Sequence, residues 1–432
     1  MSKFVGINSN GRIQFISDTP FSNDKIKIIG LTPELENIND NDLINNYKLK
    51  NNKIVNISGK RSAKDLKVAF VNNYKTQCGI ASYSEKLLNS IIPHVGDYKL
   101  FIERDEFIGN IFDMEHVKLD KYKVFACWRR GESLQELVNE IKAYGPDIIL
   151  IQHEFGLFPN ARYWLAMLTQ LAEFRLIVTM HSVFYHKDKT IIEAPIPEIV
   201  VHLEGAKQLL KDIKKISGSV YVIPHGCDPC ISKERLWNFY KTERTFMSQG
   251  FGFRYKNFEN SIIATSILKQ KYDDVFFTAI FSESPSNVIE HQKYYDELIS
   301  LSNKLRLQDN VSIIRGFQHD NIIDNYLRIN KAAVFPYATH PGHEVFGASG
   351  AARTAMAANI PIITSSIPHF SDLPTIKADS PEEIARELNI LFCNKSSVDK
   401  QLLIQENYIN DNSWAAVAQK YINIFEATQT PS

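Results

Sequence analysis

Short continuous apolar runs alternate with helical stretches along most of the chain, and this alternation restricts the possible folds more than any other feature. Runs with the length and apolarity of buried strands occur at 67–71, 99–102, 147–152, 176–180 and 220–223. Stretches with helical spacing of apolar residues separate them, for example at 132–144 and 205–213. Apolar strands that alternate with helices predict an α/β fold whose parallel sheet is covered on both faces.

A second series of the same kind begins near Thr245. Its strands are predicted at 246–251, 275–281, 311–314, 332–335 and 361–364, after a polar helix at 233–243. A chain of 432 residues is long enough for two to three domains. We therefore predict two successive doubly wound, Rossmann-like domains at 65–235 and 236–411, preceded by a small β-rich appendage at 1–64. A final helix at 412–428 carries an apolar stripe that must pack on another element.

Composition excludes several classes of protein. Hydrophobic residues make up 44% and charged residues 23%, which is typical of a folded globular chain. The 49 Lys and Arg residues balance the 49 Asp and Glu residues, so there is no global basic field of the kind that nucleic-acid binders carry. No uncharged apolar stretch reaches the roughly 18 residues of a membrane span, and the N-terminus lacks a signal-peptide core. We expect a cytoplasmic protein, either free or peripheral to a membrane.

The five cysteines are scattered and odd in number, which favours reduced thiols over a disulfide framework. Cys227 and Cys230 have CxxC spacing, but no second pair follows downstream. Zinc or redox chemistry at this pair is therefore a minor alternative.

In an open parallel sheet, ligands collect at the carboxyl ends of the strands, so residues that follow each run are candidate site residues. Gly79 lies between the first strand and its helix, where it permits close backbone approach and where the helix offers free N–H groups. This suits a polar or anionic ligand, although a plain tight turn is an equal alternative. His153 and Glu154 follow another strand, and His181 a third. His225 is a weaker candidate, because Pro–His–Gly is typical of a turn.

Two further segments in the second half predict an anion site. Arg254 and Lys256 stand at the start of a helix, where cations are unfavourable unless an anion lies between them. Later, Glu344 precedes a run of small residues that opens the next helix and leaves its N–H groups accessible to a diphosphate. That run consists of Gly347, Ala348, Ser349 and Gly350.

Taken together and in order, these segments resemble glycosyltransferase family 4, retaining enzymes of the GT-B fold that use nucleotide sugars. The resemblance runs from about Leu66 to the final helix and is carried by residues 78–83, 146–156, 178–181, 222–226, 252–256 and 355–363. It implies that the Gly79 loop with Cys78 faces acceptor and diphosphate, that His153 contacts the donor sugar, and that Lys256 neutralises the diphosphate. Glu154 and His181 would lie on the acceptor or sugar side, and the final helix would return to the N-terminal domain.

One motif departs from the family pattern. The family usually carries two glutamates eight positions apart, of which the first contacts the donor sugar. The resemblance gives that catalytic, donor-binding role to Glu344, but the position eight after it is Ala352. Alignment on Ala355 instead puts Thr354 in the place of the second glutamate, which contacts the nucleotide ribose. Asn257 also stands where the family prefers glycine.

The resemblance implies transfer with retention, in which the acceptor hydroxyl attacks from the face of the departing nucleoside diphosphate. Lys256, Arg254 and the N–H groups after Gly347 would stabilise the leaving group, so we expect no cofactor, no metal and no protein nucleophile. Asp40, Asn41 and Asp42 have the form of a metal-binding DxD motif but no preceding strand, and we interpret them as a turn.

The expected activity is that of a hexosyl- or pentosyltransferase acting on a glycan or a lipid-linked sugar. One alternative is a related enzyme that modifies a hydroxymethylated base in DNA, which the zero net charge disfavours. Another is an inactive sugar-nucleotide-binding scaffold protein, which the missing second glutamate favours. The sequence indicates neither donor sugar, acceptor nor oligomeric state, nor what residues 1–64 do.

Overall fold

The structure, a computed structural model, describes most of the chain after residue 60 and five short strands before it. The described ranges are 61–74, 76, 78–104, 123–185, 198–216, 218–230, 242–283, 287–339 and 344–427. The predicted turn at Asp40 and most of the predicted polar helix at 233–243 lie outside them.

The N-terminal strands form two small antiparallel sheets. Strand β1 (Phe4–Ile7) pairs with β2 (Ile13–Ser17) and with β3 (Lys27–Gly30). Strand β4 (Tyr47–Lys50) pairs with β5 (Lys53–Asn56). This part of the chain is therefore β-rich, as predicted.

The first large sheet is parallel and has the order β13-β12-β10-β9-β6-β7-β8. Its strands are β6 (Lys67–Asn72), β7 (Asp97–Glu103), β8 (Val124–Trp128), β9 (Ile148–His153), β10 (Arg175–Met180), β12 (Glu198–Val201) and β13 (Ser219–Val222). The helices that connect them are α1 (Gly79–Ile91), α2 (Gln135–Tyr144), α3 (Ala161–Gln170) and α4 (Glu204–Gln208), the last continued by a π-helical turn at Leu209–Ile213. Strands β8 and β12 were not predicted from the sequence.

The second large sheet is also parallel, with the order β16-β15-β14-β17-β19-β20. Its strands are β14 (Thr245–Phe251), β15 (Phe276–Ser282), β16 (Val311–Arg315), β17 (Ala332–Phe335), β19 (Ile362–Thr364) and β20 (Ile376–Lys377). The helices around it are α5 (Phe258–Lys269), α6 (Val288–Lys304), α7 (Asp320–Ile329), α8 (Gly350–Ala357), α9 (Pro381–Cys393) and α10 (Lys395–Asp411). Each large sheet has an apolar core on both faces, which explains why the strands read as continuous apolar runs.

The final helix, α11 (Trp414–Glu426), packs on the first sheet rather than on the second. Its Tyr421 hydroxyl lies 3.1 Å from the Tyr83 hydroxyl of α1 and 2.9 Å from Thr179 Oγ1 of β10. Arg175 donates to the carbonyl oxygens of Ile424, Phe425 and Ala427 at the end of the helix. The chain therefore crosses from the second domain back to the first.

A short antiparallel pair joins the two domains beside the cleft between them. Strand β11 (Ser182–Phe184) follows β10, and β18 (Val345–Gly347) precedes α8. Ser182 pairs with Gly347 and Phe184 with Val345. We call this pair the interdomain ladder.

Candidate active site

One cleft of about 320 Å³ opens between the domains, and residues that follow strand ends in both sheets line it. In each sheet the connections reverse direction beside the central strand, β6 or β14, which is where an open α/β sheet forms a crevice. The predicted site residues that line this cleft are Cys78, Gly79, His181, Lys256, Gly347, Ala348, Ser349, Gly350 and Thr354. Four others, His153, Glu154, Arg254 and Glu344, are not among the lining residues.

The first wall of the cleft is the loop between β6 and α1. Cys78 is the N-cap residue of α1 and Gly79 begins the helix, with open space where a Cβ on Gly79 would stand. Beneath this loop, buried Glu103 accepts hydrogen bonds from Asn73 Nδ2 at 2.9 Å and Arg130 Nε at 2.6 Å. Burial raises the pKa of the Cys78 thiol, which is therefore neutral at ordinary pH.

Lys256 lies on the opposite wall, in a single 3-10 turn between β14 and α5. Its ammonium lies 3.8 Å from the centroid of the Tyr337 ring and 4.9 Å from that of Tyr255. Among the described residues it has no hydrogen bond or ion pair. Because this environment desolvates the charge, burial lowers the pKa of Lys256 to about 7. A bound anion would restore the favourable energy of the charged form.

The structure separates Arg254 from Lys256, although the sequence predicted that the two cations act together. Arg254 donates to both carboxylate oxygens of Glu297, at 2.6 and 2.7 Å, and its side chain is 54% exposed. The 3-10 turn directs the two side chains to different sides, and Glu297 already neutralises Arg254. A role for Arg254 in the donor site therefore stays a prediction without support from its position.

The start of α8 lines the cleft where the sequence predicts an anion site. The Ser349 hydroxyl accepts a hydrogen bond from Ala352 N at 3.3 Å, and the first N–H groups of a helix have no acceptor within the helix. Arg353, only 1% exposed, lies below and donates to Ser349 O at 3.0 Å while it pairs with Asp372. Thr354 Oγ1 donates to Gly350 O at 3.2 Å, so this hydroxyl is held by its own helix.

The main chain of Glu344 is hydrogen-bonded to the first domain. Its carbonyl oxygen accepts from Tyr185 N at 3.3 Å, which extends the interdomain ladder by one residue. Gly347, at the other end, packs so closely that a Cβ would lie 3.0 Å from His181 O. The ladder positions the main chain that leads into α8, and the Glu344 carboxylate lies outside the cleft lining.

His153 lies in an aromatic pocket rather than in the cleft. It is 2% exposed, and its ring centroid lies 4.6 Å from that of Trp164 and 5.8 Å from that of Phe158. Burial lowers its pKa to about 3, so the ring is neutral. The sequence identified this strand end correctly. Because side chains alternate along a strand and the neighbours are apolar, the imidazole points into the core. The predicted contact with the donor sugar is untested.

Glu154 lies toward the second domain. Its carboxylate accepts from Phe155 N at 3.0 Å. Desolvation beside the cleft, and then the Glu154 charge, raise the pKa of Tyr255 in the second domain. Glu154 is thus near the cleft without being one of its lining residues.

Three histidines surround the Tyr83 ring at the base of the cleft. His181 Nε2 lies 2.9 Å from Gln152 Oε1, His202 Nδ1 lies 2.9 Å from Ile223 O, and the facing nitrogens of these two rings are 3.4 Å apart. His225 completes the group, with its ring centroid 4.9 Å from that of Tyr83. Burial lowers the pKa of all three imidazoles.

Sequence reasoning missed or undervalued several lining residues. His225 was interpreted as part of a turn, while Tyr337, Arg353 and His369 were not singled out, yet all line the cleft. Tyr337 and His369 lie shortly after β17 and β19, so the strand-end rule could have found them. Nothing in the sequence signalled that buried Arg353 reaches the cleft.

No group of three or more His, Cys, Asp or Glu side chains in the described part of the chain could hold a metal ion. The five cysteines are free thiols. No described helix is both long and apolar enough to cross a bilayer. The expectation that no metal or cofactor is needed is untested.

The second domain matches a known protein family. Residues 232–390 match the family model described as glycosyl transferases group 1. The second domain is therefore similar to the group 1 glycosyl transferase domain. The matched residues include Lys256, the interdomain strand β18 and the start of α8. No curated protein sequence matches the chain significantly.

Solved structures match over both domains. Trehalose-6-phosphate synthase matches with a TM-score of 0.65 and 12% identity, over 85% of this chain and 100% of that chain. The Anabaena protein HepE, solved with UDP and glucose, matches with a TM-score of 0.61 and 12% identity, over 84% of this chain and all of that one. Sucrose-phosphate synthase from Thermosynechococcus elongatus matches with a TM-score of 0.60 and 14% identity, over 83% of this chain and 98% of that chain. The predicted α/β fold of the GT-B type is confirmed.

Proposed function

We propose that this protein is a retaining, nucleotide-sugar-dependent glycosyltransferase of family 4, which moves a hexosyl or pentosyl group to an acceptor hydroxyl. The observation that carries this proposal is Lys256, a desolvated ammonium without an anionic partner among the described residues, on the cleft that the start of α8 also lines. The group 1 domain match and neighbours such as HepE, which was solved with UDP and glucose, agree with it.

The reaction needs stabilisation of the departing nucleoside diphosphate. Lys256 and the N–H groups of Ser349, Gly350 and Ala351 would supply it, because charge and oriented N–H dipoles favour a developing phosphate charge in a site shielded from water. Trehalose-6-phosphate synthase has been studied for glycosyl transfer with retention, which favours the same stereochemistry here. We propose that this chemistry proceeds without a metal ion or cofactor.

The acceptor would enter from the wall formed by the first domain, past Cys78, Gly79 and His181. We propose a glycan or a lipid-linked sugar as acceptor, in the cytoplasm or at its membrane surface. The missing second glutamate favours an inactive binding protein as the second candidate, because the Thr354 hydroxyl that replaces it is bonded to Gly350 O at 3.2 Å.

The test combines binding with turnover. UDP-glucose, GDP-mannose, ADP-glucose and dTDP-glucose would each be titrated by calorimetry, and release of nucleoside diphosphate would be followed with and without a mixture of candidate acceptors. We expect one donor to bind and to turn over, with the anomeric configuration of the product retained. Binding without turnover would favour the inactive protein, and the absence of any binding would contradict both.

A further inference from the structure

His225 occupies a fixed position at the boundary between the domains. It follows β13 in the segment Pro224, His225, Gly226, and Gly226 lies so close to α11 that a Cβ would come within 2.4 Å of the Trp414 ring. The His225 ring itself is held between Tyr83 and Trp414, with centroid distances of 4.9 and 5.4 Å. The ring therefore has little freedom to turn.

The hydrogen bond at Nδ1 defines what the other ring nitrogen can do. Nδ1 lies 2.7 Å from Gly226 O, and since a carbonyl oxygen only accepts, Nδ1 must carry a hydrogen. In the neutral ring Nε2 then has a lone pair. Nε2 has no hydrogen-bond partner in the described parts of the chain, and it is the atom nearest to Gly350, where a Cβ would lie 3.6 Å away.

Nε2 thus points at the start of α8, the proposed anion site, from the first domain. The groups that face the ring are Tyr83 from α1, His181 and His202 from the first sheet, and Arg353 from α8. None of these groups is an anion. The Asp372 carboxylate is paired with Arg353. Burial, and then the Arg353 charge, hold the pKa of His225 well below its usual range while the cleft holds no anion.

An anion at the start of α8 would reverse this balance. A lone pair directed at a phosphoryl oxygen is repulsive, whereas an Nε2–H directed at it is a charge-assisted hydrogen bond. Two other cations line the cleft near this side, but Lys86 is paired with Asp228 and Arg353 with Asp372, and Lys256 lies on the other wall. A protonated His225 would therefore add a positive charge that no carboxylate in the described part of the chain neutralises.

We propose that His225 is a further donor-binding residue, which takes up one proton from solvent when the nucleotide sugar binds and donates Nε2–H to its diphosphate. This inference rests on the proposed function. During transfer the acceptor oxygen forms a bond to the anomeric carbon while the bond from that carbon to the phosphate oxygen breaks. The acceptor proton leaves with the diphosphate, and His225 keeps its own proton. The diphosphate would then be held by both domains, by Lys256 and α8 on one side and His225 on the other.

The test measures how many protons the protein takes up when a nucleotide sugar binds. The panel nucleotide sugar that binds would be titrated at about pH 6 in two buffers that differ in ionisation enthalpy. Its phosphates are diesters that do not titrate there, and Lys256, with a pKa of about 7, is already mostly charged. We expect the wild type to take up about one proton more than His225→Gln, with at least tenfold weaker binding in the variant.

His202→Gln is the matched control, because His202 belongs to the same cluster but is absent from the cleft lining. It should keep the wild-type proton uptake. Equal uptake by His225→Gln and the wild type would overturn the proposal, as would a loss of uptake in His202→Gln as large as that in His225→Gln. If His225→Gln does not fold, His225→Asn takes its place, with the melting temperature as the check.

A panel in which no nucleotide sugar binds the wild type would instead overturn the proposed function itself. The two failures are therefore distinct: in one a donor binds without a contribution from His225, and in the other no donor binds.

Discussion

At the residue scale, the contrast between Lys256 and Arg254 shows how two cations two positions apart can differ in role. Lys256 lies against aromatic rings in the cleft, whereas Arg254 is exposed and paired with Glu297 on the surface. Exposed ion pairs contribute little to stability or function, while an unpaired charge in a cleft is costly unless a ligand uses it. The two residues therefore form a matched pair for mutation.

Lys256→Ala should lower the turnover of the nucleotide sugar roughly 100- to 1000-fold, because it removes a charge that stabilises the leaving diphosphate. Arg254→Ala, the control, should change it by no more than a few-fold. Steady-state kinetics on both variants checks this. Equal losses in the two variants would contradict the assignment of Lys256.

The pH dependence of donor binding gives a second test of Lys256. Because the pKa of the free side chain is about 7, it is charged below that pH and neutral above it. A bound diphosphate raises this pKa, so wild-type affinity should fall by up to about tenfold per pH unit above pH 7. In Lys256→Met this loss above pH 7 should become shallower, because only the proton taken up by His225 then contributes to it. Calorimetric titrations between about pH 6 and 9 measure the donor affinity. If affinity falls with pH in Lys256→Met as steeply as in the wild type, Lys256 does not bind the diphosphate.

Gly79 can be tested separately from stability. A Cβ at Gly79 would meet no atom, and alanine is the better helix former, so Gly79→Ala should keep or slightly raise the melting temperature. If a ligand approaches this backbone, binding should nevertheless weaken. Gly226→Ala is the comparison, since its Cβ would clash with Trp414 and should lower the melting temperature. Unchanged ligand binding in Gly79→Ala would support the plain-turn alternative.

At the element scale, α11 shows how one buried ion pair can anchor a helix to a distant sheet. Arg175 pairs with Glu198 on the neighbouring strand, and both side chains are largely buried. The same guanidinium donates to the last carbonyl groups of α11, where a cation is favourable for the helix dipole.

Arg175→Met should destabilise the first domain by about 3–5 kcal/mol, because it leaves the Glu198 carboxylate buried and unpaired and releases the end of α11. Arg244→Ala breaks the exposed pair with Asp274 and should cost less than about 1 kcal/mol. Urea unfolding followed by tryptophan fluorescence compares them. Similar midpoints for the two variants would refute this role.

The elements themselves were largely predictable from the sequence. Every predicted strand after residue 64 is present within one or two residues, because a buried parallel strand leaves a continuous apolar run. The strands at 124–128 and 198–201 were missed, since short runs beside polar loops have no clear period. The ladder strands β11 and β18 were missed because only contact between the domains defines them.

At the scale of the whole molecule, the interdomain ladder connects the two domains beside the cleft. Phe346 of β18 packs on the core of the first domain, and it fills the space beside Gly205, where a Cβ would lie 2.6 Å from its ring. A side chain of one domain thus occupies a site in the other.

Phe346→Ala should open the molecule, because it removes part of the about 1.5–3 kcal/mol that full burial of a phenylalanine side chain contributes. The radius of gyration from small-angle X-ray scattering should increase, and donor affinity should fall roughly 10- to 100-fold. Phe392→Ala, on the outer helix α9, is the control and should leave both unchanged. An unaltered radius of gyration in Phe346→Ala would show that the ladder does not hold the domains together.

The sequence by itself determined the α/β alternation, the two series of strands, and the positions along the chain where ligand-facing loops begin, because strand and helix periods and turn residues are local properties. Only the tertiary structure decided which side chains reach the cleft. Lys256 turns inward while Arg254 turns out, and His153 enters the core while His225 faces α8. These directions depend on packing between segments far apart in the chain, which no local pattern records.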